Sequence, residues 1–177
     1  MSVATQAPFP VPRGLALALA GIGPVAIGGI LAARAHDASP MLAAPAIVFG
    51  VVTATGPALY IATAAAGNAP PLAAVVRAFG AALGAFGIAL AGLVLPAAFV
   101  AVSSISAATT IAAATGAIGA AGYLGLSRLA AELRAAGSAE PPIGASLIGG
   151  GVFLIWAVAT AAIAGRLWWD LAVEVVS

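Results

Sequence analysis

The chain has 177 residues, of which 63% are hydrophobic and 6% are charged, and its mean hydropathy is +1.18. Soluble domains have roughly a quarter of their residues charged, so this composition excludes a soluble domain and indicates a chain that folds in a lipid bilayer. The absence of cysteine excludes disulfides, thiolate metal sites and a cysteine nucleophile. A formal net charge of +1 argues against a nucleic-acid partner, which would need clustered positive charge.

The charged residues follow one pattern along the chain. All six arginines and five carboxylates fall at the ends of, or between, five long apolar stretches. A transmembrane helix needs about 20 predominantly apolar residues, so five spans and their connections use nearly the whole sequence. The sequence therefore predicts an all-α fold, a polytopic transmembrane helix bundle of about five spans with short loops. Residues 1–177 form a single integral membrane domain in this interpretation.

The predicted elements follow the apolar runs in chain order. Residues 1–12 contain three prolines and no charge, which predicts an extended N-terminal lead. Spans are then predicted at about residues 14–33, 41–65, 78–99, 107–126 and 144–165. The fourth span continues into a helix that emerges into water, where Arg128 and Glu132 are four residues apart and can pair on one helix face.

The arginines predict the orientation, because short cytoplasmic loops retain positive charge. Four arginines lie on the N-terminal side and two on the other: Arg13, Arg77, Arg128 and Arg134 against Arg34 and Arg166. We therefore expect a cytoplasmic N-terminus and an external C-terminus in a bacterial cytoplasmic (inner) membrane. After the fifth span, Arg166, Trp168 and Trp169 are predicted to be interfacial anchors of the aromatic-belt kind.

The predicted spans contain no ionisable residue deep inside them, where a charge would mark a proton relay, an ion path or a ligand site. The single histidine, His36, lies beside Asp37 in a connection and lacks the ligand count of a zinc site. The serines and threonines near residues 103–110 have no histidine or lysine placed as a base. We therefore expect no catalytic, cofactor-binding or metal-binding residue, no cofactor and no enzyme activity.

Glycine spacing gives the clearest positive pattern. Glycines recur every three residues in the fourth span, and a GxxxG pair lies in the third: Gly116, Gly119, Gly122 and Gly125, with Gly80 and Gly84. Small residues let membrane helices approach closely, so these six glycines predict a helix-packing seam, inside the bundle or with a partner. The alternative is an alanine- and glycine-rich composition that scatters glycines at random.

Two further features concern packing. Alanine and threonine dominate the fourth span, which gains little by facing lipid, so we expect it to be buried against other helices. Pro24, Pro57 and Pro96 fall inside or late in the first three spans, where each permits a kink. Such kinks can open a substrate cavity or can simply be tolerated by packing.

Several short motifs resemble those of a known group. They are Gly56-Pro57-Ala58-Leu59-Tyr60, then Gly67 and Pro70-Pro71, then Leu93-Val94-Leu95-Pro96-Ala97-Ala98-Phe99 with Ser103, and the closing Arg166-Leu167-Trp168. Over residues 41–170 the chain resembles bacterial five-helix membrane proteins grouped as Yip1-like. The resemblance implies a five-span all-helical fold, a cytoplasmic N-terminus and no known catalysis. It transfers no site residues.

These features favour a non-enzymatic integral membrane subunit, a scaffold or accessory component of a larger membrane protein complex. Its expected partners are membrane lipids and other integral membrane subunits, or a second copy of itself, and no nucleic acid. The alternative is a transporter or channel component with a proline-kinked substrate cavity. An intramembrane enzyme ranks third, because the sequence assembles no base, metal set or nucleophile pair.

Overall fold

The computed structural model describes residues 13–65, 70–136 and 143–176, so the predicted lead at residues 1–12 lies outside the described residues. Within these ranges the chain forms five helices and no strand. They are α1 (Arg13–Ala35), α2 (Ser39–Ala65), α3 (Leu72–Ser103), α4 (Ala107–Ala136) and α5 (Ile143–Val176). Each contains an apolar stretch long enough to cross a membrane. The predicted all-α bundle of five spans is confirmed, and it indicates an integral membrane protein.

The last three helices are longer than a bilayer requires. α3, α4 and α5 have 32, 30 and 34 residues, which is roughly 45–50 Å at 1.5 Å per residue, against a hydrocarbon core of about 30 Å. The extra turns of α4 lie at its C-terminal end, where Arg128 and Glu132 form the predicted ion pair at 2.6 Å. α5 continues as helix through the predicted anchor residues.

The connections at one end of the bundle are tied by polar contacts. His36 follows α1 and adopts the left-handed region, with a φ of 55°, a conformation in which His is enriched. The Asp37 carboxylate accepts hydrogen bonds from the hydroxyl and, at 3.3 Å, from the backbone N–H of Ser39, the first residue of α2. The Arg34 guanidinium donates to the carbonyl of Ile105 between α3 and α4. The α1–α2 and α3–α4 connections therefore lie at the same end, as alternating spans require.

The helices pack in the spatial order α4, α3, α1, α2, α5, each mainly against its neighbours in that order. One core cluster joins α1, α3 and α4 and includes Val175 of α5; its large side chains are Ile27, Leu31, Phe86 and Leu90. A second joins α2, α3, α4 and α5: Leu59, Ala78, Ala82, Leu129 and Trp156. In the described part of the chain α4 and α5, the two ends of this order, contact each other only sparsely. The bundle is therefore loosest between α4 and α5.

Two glycines outside the predicted seam mark the closest backbone contacts. A Cβ at Gly87 of α3 would lie 2.6 Å from the Cα of Ala20 in α1. A Cβ at Gly28 of α1 would lie 2.8 Å from the Cα of Met41 near the start of α2. Carbon atoms at rest are about 3.5–4.0 Å apart, so a side chain at either position would force the helices apart.

The prediction that the fourth span is buried against other helices is wrong for much of its surface. One face of α4 is buried, through Thr110, Ala114, Ala117, Ala121, Gly125 and Leu129. Other positions, among them Gly116, Gly119 and Ala120, are exposed. Side-chain size alone does not show that α4 stands at one end of the packing order, with α3 as its one main neighbour.

Candidate functional site

The bundle contains an apolar cavity of about 450 Å³ between α2, α3, α4 and α5. This volume lies within the range of roughly 300–1,000 Å³ that is usual for small-molecule sites. Several lining residues of α4 and α5 are exposed and mark the mouth of the cavity: Thr115, Gly119, Tyr123, Ala161 and Gly165. The mouth therefore lies between α4 and α5, which contact each other only sparsely, and in a membrane it would face the side of the bundle.

Aromatic rings form much of the wall. Trp156 of α5 is buried, and its indole N–H donates to the backbone carbonyl of Thr55 in α2 at 2.7 Å. Its ring meets Phe79 of α3 edge to face, with centroids 6.0 Å apart and planes at 89°, a favoured arrangement of aromatic quadrupoles. Three helices thus hold one indole, which makes this end of the cavity well defined.

A second tryptophan, farther along α5, connects α5 to α4 by a hydrogen bond. The indole N–H of Trp168 donates to the hydroxyl of Thr115 at 2.8 Å, and both residues line the cavity. Trp156 and Trp168 are twelve positions apart on α5, which is roughly 18 Å along the helix axis. The cavity is therefore elongated along the bundle, between two tryptophans that are each hydrogen-bonded to another helix.

One hydroxyl in the cavity wall is unsatisfied. Thr160 is 9% exposed, and its Oγ1 is buried without a hydrogen-bond partner among the described residues. The hydroxyls of Thr53, Thr55 and Thr63 instead donate hydrogen bonds to backbone carbonyls of α2 at 2.7–3.0 Å, as hydroxyls in apolar helices commonly do. A buried unpaired hydroxyl costs about 1–3 kcal/mol. Thr160 is absent from the residues predicted from the sequence, because nothing in its spacing distinguishes it from other threonines.

The six glycines of the predicted seam differ in their surroundings. At Gly125 a Cβ would lie 3.2 Å from the Ala82 carbonyl oxygen of α3, so this glycine supports close packing of α4 on α3. Gly84 is buried in α3. At four positions a Cβ would meet nothing within 4 Å in the described part of the chain: Gly80, Gly116, Gly119 and Gly122. Gly119 and Gly122 line the cavity instead. A seam at these four positions with another chain stays a prediction.

The predicted anchor residues all lie within α5. Arg166 pairs with Asp170 at 3.1 Å, one turn farther along the helix. Trp169 is 62% exposed, whereas Trp168 is half-buried against α4. Their role at a membrane interface stays a prediction, and the contact of Trp168 with Thr115 gives that residue a packing role as well.

The cavity lining is poor in reactive groups. Its described residues are aliphatic, aromatic or small, with hydroxyls on Thr115, Tyr123 and Thr160, and include no carboxylate, histidine or arginine. In the ranges the structure describes, no three His, Asp or Glu residues come together as a metal site. None of the three span prolines, Pro24, Pro57 and Pro96, lines the cavity. The cavity arises from the sparse α4–α5 contact and the small residues beside it.

No protein-family model matches the sequence, and neither a search of curated proteins nor a search of solved structures finds a match. The resemblance to Yip1-like proteins therefore stays a prediction. The interpretation of the site rests on its own geometry.

Proposed function

We propose that this protein is a non-enzymatic integral membrane subunit, a scaffold or accessory component that binds another membrane-spanning chain through α4. The contact surface is the outer α4 face, defined by Ala112, Gly116 and Ala120, all of which are exposed and lie outside the cavity lining. The observation that carries the proposal is that the least apolar helix of the bundle also leaves this face uncovered. The mean hydropathy of α4 is 1.3, the lowest of the five candidate spans, against 2.4 for α3.

The exposed surfaces of α3 and α4 differ in the residues they offer. α3 exposes large apolar side chains, with Leu95 at 76%, Phe99 at 73% and Val102 at 90%. Such residues favour the bilayer, at about −0.3 to −0.6 kcal/mol each for Leu, Phe and Val at a helix centre. The outer α4 face offers mainly glycine and alanine, which gain little from lipid but let a second helix approach closely. A partner helix satisfies this face better than acyl chains do.

The experiment places a leucine on the outer α4 face. Gly116 does not line the cavity, and a Cβ there meets no atom of the described chain within 4 Å, so Gly116→Leu leaves the bundle itself intact. Leucine also has a better helix propensity than glycine, by up to about 1 kcal/mol. Gly50→Leu on α2 is the matched control, since Gly50 is likewise exposed and a Cβ there meets nothing within 4 Å in the ranges that the structure describes.

Each variant is extracted from its own membranes in lipid nanodiscs and weighed by native mass spectrometry. We expect a defined larger assembly for the unchanged chain and for Gly50→Leu, and its loss for Gly116→Leu. The same assembly in all three would refute the outer α4 face as the contact. A single chain that transports solute after reconstitution would replace the proposal with the transporter alternative.

The proposal includes a location in a bacterial inner membrane with a cytoplasmic N-terminus, supported by the four-to-two distribution of arginines. Val3→Cys and Val176→Cys place one thiol near each end of a chain that has none of its own. An impermeant thiol reagent applied to intact cells should label the cysteine at position 176 and not the one at position 3. Labelling at position 3 alone would reverse the orientation.

A further inference from the structure

We propose that the cavity between α2, α3, α4 and α5 binds an apolar, membrane-dissolved molecule that carries a hydrogen-bond-accepting carbonyl, as a quinone or an acyl ester does. The molecule enters sideways between α4 and α5, and its carbonyl accepts a hydrogen bond from the hydroxyl of Thr160. This ligand site goes beyond the proposed contact at the outer α4 face and does not depend on it.

The described lining has one buried hydrogen-bond donor that lacks a partner, so it is matched by a ligand with a single hydrogen-bond acceptor. Thr160 is the buried lining residue whose hydroxyl lacks a partner among the described residues. The nearby indole N–H of Trp156 already donates a hydrogen bond to the backbone carbonyl of Thr55, so it does not compete with Thr160 for the ligand's acceptor. An acceptor oxygen beside Thr160 would satisfy its donor, and a carbonyl does so without bringing a further donor that needs a partner.

Water is a poor occupant of the same position. A buried water needs about 2–4 polar partners, whereas the neighbours of Thr160 in the lining of α5 are Trp156, Ala161 and Ala164. Cavities lined by apolar groups stay dry or take apolar ligands. The lining therefore selects a molecule that is mostly hydrocarbon and that offers one acceptor at the level of Thr160.

The shape of the cavity suits a chain-like molecule. Thr160 lies one turn from Trp156, and the lining continues to Trp168, roughly 18 Å from Trp156 along α5. A carbonyl-bearing head at Thr160 leaves the remaining length for a hydrocarbon tail. Small residues border part of the mouth on both helices, Gly119 on α4 with Ala161 and Gly165 on α5.

The test follows quenching of tryptophan fluorescence, since two of the three tryptophans line the cavity. The full-length chain in bicelles is titrated with three probes: a decyl-substituted benzoquinone, methyl dibromostearate and dibromooctadecane. The first two carry a carbonyl, and the third has the same chain as the ester without one. Saturable quenching by the quinone alone or the ester alone identifies the source of the carbonyl, and either result supports the site.

Three variants decide the assignment. Thr160→Val keeps the shape of the side chain but removes the hydroxyl. It should weaken binding of the carbonyl probes roughly two- to tenfold, the range expected for one hydrogen bond. Its affinity for dibromooctadecane should not change. Gly122→Leu fills the cavity at a position where a Cβ meets no described atom within 4 Å, and it should abolish saturable quenching by every probe. Thr109→Val, an exposed threonine outside the lining, should change nothing.

Two results would overturn the proposal. Quenching that rises linearly in the unchanged chain would show partition into lipid with no site. Unchanged affinity of Thr160→Val for the carbonyl probes would remove the hydroxyl from recognition. Because Thr160→Val is nearly isosteric, it decides the question even where Gly122→Leu fails to fold.

Discussion

Replacing Gly87 with alanine tests the closest helix contact in the bundle. The new methyl would lie 2.6 Å from the Cα of Ala20 and 2.7 Å from the carbonyl carbon of Leu19. Both atoms belong to the backbone of α1, so no side-chain rotation can make room. To regain about 3.5 Å of separation, α1 and α3 must move apart by nearly 1 Å, which loosens the core cluster around Ile27 and Leu90.

The magnitude follows from two opposing effects. Extra methyl groups in a packed core cost about 1–3 kcal/mol, and contact with rigid backbone places this site at the upper end. Alanine recovers about 1 kcal/mol of helix propensity relative to glycine. The expected net loss is about 2 kcal/mol, or roughly a 30-fold drop in the folding equilibrium constant. Gly80→Ala on the same helix adds a methyl that contacts none of the described residues within 4 Å, and it should leave stability unchanged or raise it by up to about 1 kcal/mol.

Both free energies of unfolding are measured by titrating dodecyl sulfate into lipid–detergent micelles and following helical circular dichroism. If Gly87→Ala is as stable as Gly80→Ala, α1 and α3 do not approach as closely as described, and the packing order of the bundle must be revised.

Three further predictions use the same unfolding assay or a proton titration. Gly28→Ala drives a methyl into the backbone at the start of α2 and should destabilise by about 1–2 kcal/mol; no loss would contradict that contact. Trp156→Phe removes the indole N–H bond to Thr55 and should cost about 1 kcal/mol, and a neutral result would show the bond to be unimportant. Hydrogen bonds from the hydroxyl and then the N–H of Ser39 lower the pKa of Asp37 below its usual 3.8. Because the folded-state pKa is depressed, their stabilisation is present above 3.8 and is lost as pH falls through the folded-state value. In Ser39→Ala the pKa of Asp37, followed by carbon-13 resonance, should rise toward 3.8, and an unshifted pKa would assign the depression to another cause.

The number and order of the helices could be predicted, because each apolar run is bounded by charges, prolines or serines. The length of α5 could not. The fifth span was expected to end near residue 165, and the helix α5 continues to Val176, because the mixed charged and apolar residues after residue 165 are still compatible with a helix. Hydropathy locates the membrane-compatible part of a helix and says little about where the helix itself ends.

Which helices pack against each other in the bundle could not be predicted from the sequence. Glycine spacing drew attention to α4, yet the tightest contacts are at Gly87 and Gly28, where another backbone happens to cross. The same limit applies to the cavity, because Thr160 and Gly119 are far apart along the chain and become lining residues only once α4 and α5 stand side by side. A one-dimensional pattern identifies small residues, but which of them meet another helix depends on the packing order.

The claim that α4 contacts another protein chain is tested most directly by photo-crosslinking in the cells that produce it. A photoreactive amino acid is placed at Ala120 on the outer α4 face, and in a second variant at Leu95 on the exposed surface of α3. The account predicts protein adducts from position 120, to a second copy or to another membrane protein, and lipid adducts from position 95. Lipid adducts from both positions would contradict it.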